Sequence, residues 1–233
     1  MRGAGRSLLL VTLGLTGCSG LFTSNAKPEQ IYFLRPPAAP AAASGAAAPV
    51  SAAPAPAAPV SLRVARPLAD PGLDTTHIML VQADHRMNFF SGSRWPAPAP
   101  EVLESLTVQA LRASGEWASV QDSASPFPAD YLLQLHMRRF EADYTEGGEA
   151  PSVHVVLDGT IGRRQGREVL ATFTVAGGAA ASSNHLGQVV AAFEQATGAA
   201  LDALVQKSVQ AVRLDAQHAD ASEDPPAPSG ARQ

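Results

Sequence analysis

The sequence predicts an α+β fold in which a mostly antiparallel sheet packs with two helices. Three observations lead to this prediction. Residues 129–144 alternate apolar and polar side chains, as a long half-buried strand does. Residues 150–164 and 167–177 are strand-like runs separated by a short turn, which indicates a hairpin. Residues 98–115 and 186–212 have apolar side chains at helical spacing.

The remaining predicted strands are short. In chain order they are residues 31–36 (IYFLRP), 60–67, 76–84, 86–95 and 116–122. Each is a brief extended run bounded by turn-forming or proline-containing residues. Together with the longer strands they supply enough apolar residues for one core, so we expect a single domain.

The alternation also predicts which residues share a face. In the long strand, one face carries Leu133, Leu135 and Met137, and the other carries Gln134, His136 and Arg138. The hairpin should turn at residues 164–166. We expect one buried face to place Val153, Val155 and Leu157 opposite Phe173, Ala171 and their neighbours.

The helix boundaries have local signals. Pro98 and Pro100 suit the start of the first helix, Glu101 favours the positive end of its dipole, and Gly115 ends it. Both helices should lie on one face of the sheet. Their predicted inward side chains are Leu103, Leu106 and Ala110 in the first helix, and Val190, Phe193, Thr197, Ala200 and Leu204 in the second.

Two segments have compositions that oppose packing. Residues 37–59 are nearly all alanine and proline, within a domain that we place at 31–213. The prolines forbid a continuous helix, so the insert is interpreted as disordered low-complexity chain. A second interpretation is a polyproline II spacer that reaches about 70 Å towards a distant partner. The acidic, proline-containing tail 214–233 should be disordered.

The amino terminus is typical of an exported protein. Basic Arg2 and Arg6 precede a leucine-rich run that is too short to span a bilayer, which needs about 20 residues. Residues 1–17 are therefore predicted to be a signal peptide. Residues 15–18 (LTGC) resemble the bacterial lipobox, with cleavage between Gly17 and Cys18.

Cys18, the only cysteine of the chain, would then carry the lipid anchor. The resemblance implies a diacylglyceryl group on its thiol and a further acyl chain, such as palmitate, on its amine. Several chains on one residue give durable anchoring, whereas one chain binds only marginally. Residues 18–30 would form a tether. Ser19, rather than aspartate, favours the outer membrane of a Gram-negative bacterium by similarity to its sorting rules. The competing interpretation is a plain signal peptide with a chance cysteine.

The composition argues against several functions. The formal net charge is -4, which does not favour nucleic-acid binding. A single cysteine excludes an internal disulfide and a multi-cysteine metal site. His136 and His154 lie on polar strand faces, but no third ligand has a recognisable spacing. We therefore predict no catalytic residue, no metal, no cofactor and no enzymatic activity.

An aromatic cluster stands out in a chain with 6% aromatic residues. Phe89, Phe90, Arg94 and Trp95 lie within seven residues of one another. One interpretation is a core strand that leads into the first helix, with Trp95 beneath that helix. The other is a partner-binding edge, because tryptophan, phenylalanine and arginine are enriched at interface centres.

The order of these motifs resembles the ABC-type transport auxiliary lipoproteins, the PqiC-like family. The lipobox comes first, followed by the YFL strand, the segment FFSGSRW and the helix PEVLESLTVQALRASG. The long strand ADYLLQLHMRRFEADY, a hairpin ending LATFTV and the alanine-rich final helix follow in that order. The resemblance covers about 31–213, apart from the insert. Tyr32–Phe33 stands where the family often has two tyrosines.

The resemblance implies a function. Such lipoproteins are periplasmic partners of MCE-domain proteins that carry phospholipids between membranes, with the ABC permease and ATPase as separate chains. It also implies a domain that docks onto that assembly, with a homo-oligomeric ring as one arrangement. The alternative is a structural lipoprotein of another outer-membrane assembly, for lipopolysaccharide insertion or envelope maintenance.

Overall fold

A computed structural model describes residues 29–35 and 58–223. The predicted signal peptide, Cys18, most of the tether and most of the insert lie outside the described residues. The elements in chain order are β1 (Gln30–Ile31), β2 (Ala58–Val64), β3 (Leu68–Ala69), β4 (His77–Val81), β5 (Met87–Arg94), α1 (Ala99–Ala113), β6 (Trp117–Gln121), β7 (Tyr131–Asp143), β8 (Ser152–Arg163), β9 (Glu168–Ala180) and α2 (Leu186–Glu223).

Strand β7 is the centre of the sheet. On one side it pairs antiparallel with β8, which pairs antiparallel with β9. On its other side β2, β3 and β4 pair with it in parallel at successive positions along its length. Strand β6 lies beyond β2, while β5 and then β1 lie beyond β4. The long ladders are antiparallel, so the predicted α+β fold with a mostly antiparallel sheet is confirmed.

The alternation predicted for the long strand is confirmed. Leu133, Leu135 and Met137 are fully buried, whereas His136 and Arg138 are at least partly exposed. Between Met137 and Arg139 the pairing with β8 shifts by one residue. This bulge reverses the phase, so Phe140 and Ala142 face the core after it.

The hairpin turns where predicted, through a short 3-10 segment at Gln165–Arg167 in which Gly166 has a φ of 82°. Its predicted register is wrong. The residues opposite Val153, Val155 and Leu157 are Ala179, Gly177 and Val175, respectively.

Phe173 and Ala171 instead lie opposite Gly159 and Ile161. Gly159 gives the physical reason. A Cβ atom at this position would lie 2.4 Å from the ring of Phe173, so only glycine leaves space for that ring. A large side chain packed over a glycine therefore fixes this register.

Both helices cover the same face of the sheet, as predicted. Helix α2 packs across β8 and β9, and α1 packs against β2, β6 and α2. Their predicted inward side chains are all buried, so both helical stripes are confirmed: Leu103, Leu106 and Ala110 in α1, and Val190, Phe193, Thr197, Ala200 and Leu204 in α2.

Helix α2 continues eleven residues beyond its predicted end at Val212, to Glu223 (223 − 212). The prediction of disorder from residue 214 is therefore wrong for residues 214–223. Asp215 explains part of the extension. Its carboxylate accepts a hydrogen bond from the Tyr131 hydroxyl at 2.8 Å and pairs with Arg163, which ties the helix to two strands.

Strand β1 shows that the chain enters the sheet before the insert begins. Gln30 and Ile31 lie beside Ser93 and Arg94 of β5 in a parallel pairing. The insert leaves the sheet after Arg35 and returns to it at β2. The same sheet therefore holds the chain before and after the insert. The two interpretations of residues 37–59, disordered chain and spacer towards a distant partner, concern mostly residues outside the described ones and stay predictions.

Candidate partner-binding surface

The sheet face opposite the helices is open, and we call it the open face. A network of ion pairs crosses it. Asp70 lies 2.9 Å from Nε2 of His136 and 3.2 Å from Nε of Arg138, and Arg138 lies 3.0 Å from Asp158. Thr174 donates a hydrogen bond to Asp158, which chiefly lowers the pKa of that carboxyl. The network links the segment after β3 to β7, β8 and β9.

Trp95 belongs to the core rather than to a partner-binding edge. Its side chain is fully buried. Its ring centroid lies 5.9 Å from that of Phe140 and 5.3 Å from that of Phe193 on α2. Phe90 is half-buried and also packs against the core. For these two residues the core interpretation is correct.

Phe89, unlike Trp95 and Phe90, points away from the core. It is 44% exposed on the open face, and its ring centroid lies 4.3 Å from that of His77. Met87 precedes it on the same face of β5 and is 48% exposed. Arg94 forms an ion pair of 2.9 Å with Glu29 and so fastens the residue before β1 to β5.

The open face has two apolar residues that the sequence analysis did not single out. Ile31 is 46% exposed and Phe33 is 67% exposed, whereas Leu34 is buried. The alternation of residues 31–34 carried this signal, since Tyr32 and Leu34 pack on the covered side. Ile31 lies opposite Arg94, and Arg94 lies opposite His77, which stacks on Phe89.

Four exposed apolar side chains lie on this side of the open face, around Arg94 and His77, and we call them the apolar edge: Ile31, Phe33, Met87 and Phe89. Their strands lie on the β1 side of the sheet. Four of the eight large hydrophobic side chains found exposed in the described residues belong to it. A group of exposed apolar side chains on one side of a sheet is a candidate interaction site.

A charged cluster adjoins the apolar edge. Val81 lies between Met87 of β5 and Asp143 of β7. Arg139 forms ion pairs with the carboxylates of Glu141 and Asp143, the second at 2.8 Å. Burial acts to raise the pKa of Asp143, but hydrogen bonds from Thr145 and Arg139 outweigh it and lower that pKa. These charged groups are already paired with one another. A partner would therefore contact the apolar edge mainly through apolar side chains.

The histidine pair considered for a metal does not come together. His136 lies opposite Asp158, whereas His154 lies opposite Glu141 further along the hairpin. Within residues 29–35 and 58–223, no group of three His, Cys, Asp or Glu side chains is placed to hold a metal ion. In the part of the chain that the structure describes, no helix has the length and apolar character needed to cross a membrane.

Comparisons with known proteins agree with this architecture. The crystal structure of protein XCC0632 from Xanthomonas campestris is 30% identical in sequence. The match covers 70% of this chain and 91% of that one, with a TM-score of 0.64. A crystal structure of an uncharacterized protein shares 12% identity over 81% of this chain and 99% of that chain, with a TM-score of 0.54, and so shows a similar fold. No curated protein matches the chain.

The fold and the surface define an α+β domain that closes one sheet face with helices and leaves the other open. Residues 43–212 match the ABC-type transport auxiliary lipoprotein component family. The chain belongs to this family, so the resemblance seen in the sequence is confirmed. Its class is that of an auxiliary lipoprotein component of ABC-type transport.

Proposed function

We propose that the protein is a lipid-anchored accessory component of an intermembrane phospholipid transport system. Acyl chains on Cys18 hold it at the periplasmic face of the outer membrane, and its folded domain docks an MCE-domain protein. The ABC permease and the ATPase of that system are separate chains. Membership of the auxiliary lipoprotein family supports this function, and so does the lipobox-like sequence before Cys18.

The apolar edge is the observation on which the docking role depends. Its four large side chains remain in contact with water although the other sheet face buries its apolar residues under two helices. Burying apolar surface against a partner is favourable by about 25 cal/mol per Å². Phenylalanine and methionine are enriched at the centres of protein interfaces. The edge therefore fits an apolar surface of a partner protein.

Anchoring strengthens such docking without new contacts. A protein held at a bilayer meets its partner in a thin layer, which raises the effective concentration of both. A modest apolar surface is then sufficient for stable association. This fits a component that holds the periplasmic end of a transporter near the membrane that receives its lipid.

The docking role can be tested by copurification with an MCE-domain protein from the same organism. The double variant Phe33→Ser and Phe89→Ser removes the two exposed rings of the apolar edge. Because interface centres dominate binding energy, we expect the recovered partner to fall by about tenfold or more. The matched control is Phe127→Ser, since Phe127 is 68% exposed in the loop before β7, away from the edge.

Equal recovery of the partner with the double variant and with wild type would contradict the docking surface. Stable copurification with a lipopolysaccharide-insertion assembly, and not with an MCE-domain protein, would favour the structural alternative.

The anchor has its own test. The variant Cys18→Ala should remain an unprocessed precursor without acyl mass, because the thiol that receives the diacylglyceryl group is missing. Mass spectrometry of the amino-terminal peptide and fractionation of outer membranes measure both effects. Normal processing of Cys18→Ala to the same soluble species would show that Cys18 is a chance cysteine.

A further inference from the structure

Two arginines differ from all others in the described residues. Most arginine side chains there have a carboxylate, carbonyl or amide partner, whereas Arg164 and Arg167 have none. The paired arginines are Arg35, Arg63, Arg66, Arg86, Arg94, Arg112, Arg138, Arg139, Arg163 and Arg213. A guanidinium has five donors, so two neighbouring unpaired groups form a ready site for an anion.

Both unpaired arginines lie in the turn between β8 and β9 and are exposed. The turn places two successive residues at positive φ, Gly166 at 82° and Arg167 at 54°. An arginine in the left-handed region carries a steric cost that glycine avoids.

The two arginines line one groove with an apolar part. The cavity has a volume of about 470 Å³, and Leu132 and Val169 contribute to its wall. Val169 is 63% exposed. Arg163 also lines the groove, and the Asp215 carboxylate holds its guanidinium in place. We call this site the arginine groove.

Two acidic groups, Glu168 in the wall of the groove and Asp215 beside it, do not neutralise the groove. Glu168 lies 4.0 Å from Arg163, and Asp215 pairs with the same guanidinium. Three guanidinium groups therefore face two carboxylates, and both carboxylates are directed to Arg163. Arg164 and Arg167 keep their positive charge available, although the chain as a whole has a formal net charge of -4.

We propose that the arginine groove binds the phosphate group of an anionic phospholipid. Arg164 and Arg167 donate hydrogen bonds to phosphate oxygens, for which the planar guanidinium has matching geometry. Leu132 and Val169 contact the first methylenes of an acyl chain. The proposal rests on the proposed function, which it deepens by naming the lipid that the domain contacts.

A neighbouring cavity fits the polar part of such a ligand. It has a volume of about 560 Å³ and shares Gln134 and Thr160 with the arginine groove. Thr172 and Thr174 also line it. Thr174 already donates to Asp158 and the Gln134 amide to the carbonyls of Arg66 and Leu135, so in this proposal the Thr172 hydroxyl bonds to a hydroxyl-bearing headgroup such as glycerol.

The experiment is a calorimetric titration of residues 18–233 carrying Cys18→Ser, expressed without the signal peptide so that the protein has no acyl chains of its own. The probes are dihexanoyl-phosphatidylglycerol, dihexanoyl-phosphatidylcholine and glycerol 3-phosphate, all as soluble monomers. We expect the phosphatidylglycerol to bind most tightly. The double variant Arg164→Gln and Arg167→Gln should lose about tenfold or more of that affinity, since each charge-assisted hydrogen bond contributes measurably.

The matched control is Arg35→Gln with Lys207→Gln. It removes the same charge from two exposed positions outside the groove and should leave the affinity unchanged. A third variant, Val169→Ser, separates a lipid from free phosphate. It should weaken binding of the short-chain phosphatidylglycerol and leave binding of glycerol 3-phosphate as it is.

Three outcomes would overturn the proposal. The first is equal affinity of the double variant and wild type for phosphatidylglycerol. The second is equal affinity of the two lipids and glycerol 3-phosphate. The third is tight binding of an acidic peptide with none of phosphatidylglycerol. Copurification of the double variant with the MCE-domain protein is measured in parallel, so a failed arginine groove and a failed docking role give different results.

Discussion

The two faces of the sheet use the same strands for different purposes. On the covered face, Trp95, Phe140 and Phe193 form an aromatic cluster with ring centroids 5.1–5.9 Å apart. On the open face, β7, β8 and β9 carry the ion-pair network together with Asp70, and the apolar edge lies at β5 and β1. Alternation along the strands separates these sets, and the bulge between Met137 and Arg139 resets its phase in β7. Stability is therefore concentrated on one face, which leaves the other free to bind a partner.

The largest predicted effect tests how tightly the covered face is packed. A Cβ atom at Gly177 would lie 1.9 Å from the carbonyl oxygen of Ala196, so α2 must move if alanine replaces this glycine. We expect Gly177→Ala to lower the free energy of unfolding by more than about 3 kcal/mol, as measured by urea denaturation.

The control is the next residue, which points to the other face. A Cβ atom at Gly178 would meet no atom closer than 3.8 Å. We expect Gly178→Ala to change the free energy of unfolding by less than about 0.5 kcal/mol. Similar losses for the two variants would show that the faces do not differ in packing.

The second prediction compares two phenylalanines. Phe193 is fully buried in the aromatic cluster, and Phe89 is 44% exposed on the open face. Phe193→Ala should lower the free energy of unfolding by about 3–5 kcal/mol, because it removes a buried ring and leaves a cavity. Phe89→Ala should cost less than about 1 kcal/mol. A cost for Phe89 as large as that for Phe193 would place it in the core.

The smallest predicted effect concerns the link between α2 and the sheet. Burial, followed by the hydrogen bond to Asp215, raises the pKa of Tyr131 from 10.0 to about 12. A raised folded-state pKa means that this contribution to stability is complete below pH 10.0 and is lost as the pH rises towards 12.

Tyr131→Phe should therefore reduce the loss of stability in that alkaline range. Urea midpoints measured on either side of pH 10.0 show the difference from wild type. An unchanged alkaline loss in Tyr131→Phe would mean that other groups account for it.

The sequence predicts the covered face well because hydrophobic burial is periodic. Leu133, Leu135 and Met137 lie where the alternation places them, and so do Val190 and Phe193 on α2. These residues need only their local pattern and a partner surface. The burial of these residues can therefore be predicted without knowing which distant strand lies next to each of them.

Register and helix ends depend on distant residues and are harder to predict. The fit of Phe173 over Gly159 sets the hairpin register, and Asp215 holds α2 through Tyr131 and Arg163. Phe173 and Gly159 lie far apart in the sequence, and so do Asp215 and its two partners. The repeating pattern of apolar residues therefore does not reveal that these residues are in contact. The same is true of the parallel pairing of β2, β3 and β4 with β7.

The candidate surface was predicted in part. Phe89 is exposed as the partner-binding interpretation requires, whereas Trp95 is in the core. The composition of this segment does not show which of Phe89 and Trp95 is exposed, because that depends on the sheet face to which each side chain points. Ile31 and Phe33 complete the edge through β1, whose parallel position beside β5 no local signal indicates.

If Cys18 carries acyl chains as proposed, the pairing of β1 with β5 limits how far the folded domain can move from the bilayer. Eleven residue steps separate Cys18 from Glu29 (29 − 18), which is the residue that Arg94 holds. Fully extended, this part of the tether reaches at most about 40 Å. The alanine- and proline-rich insert follows β1, so lengthening it adds nothing to that radius. Under the proposed function, a partner that docks on the apolar edge therefore binds near the anchoring membrane.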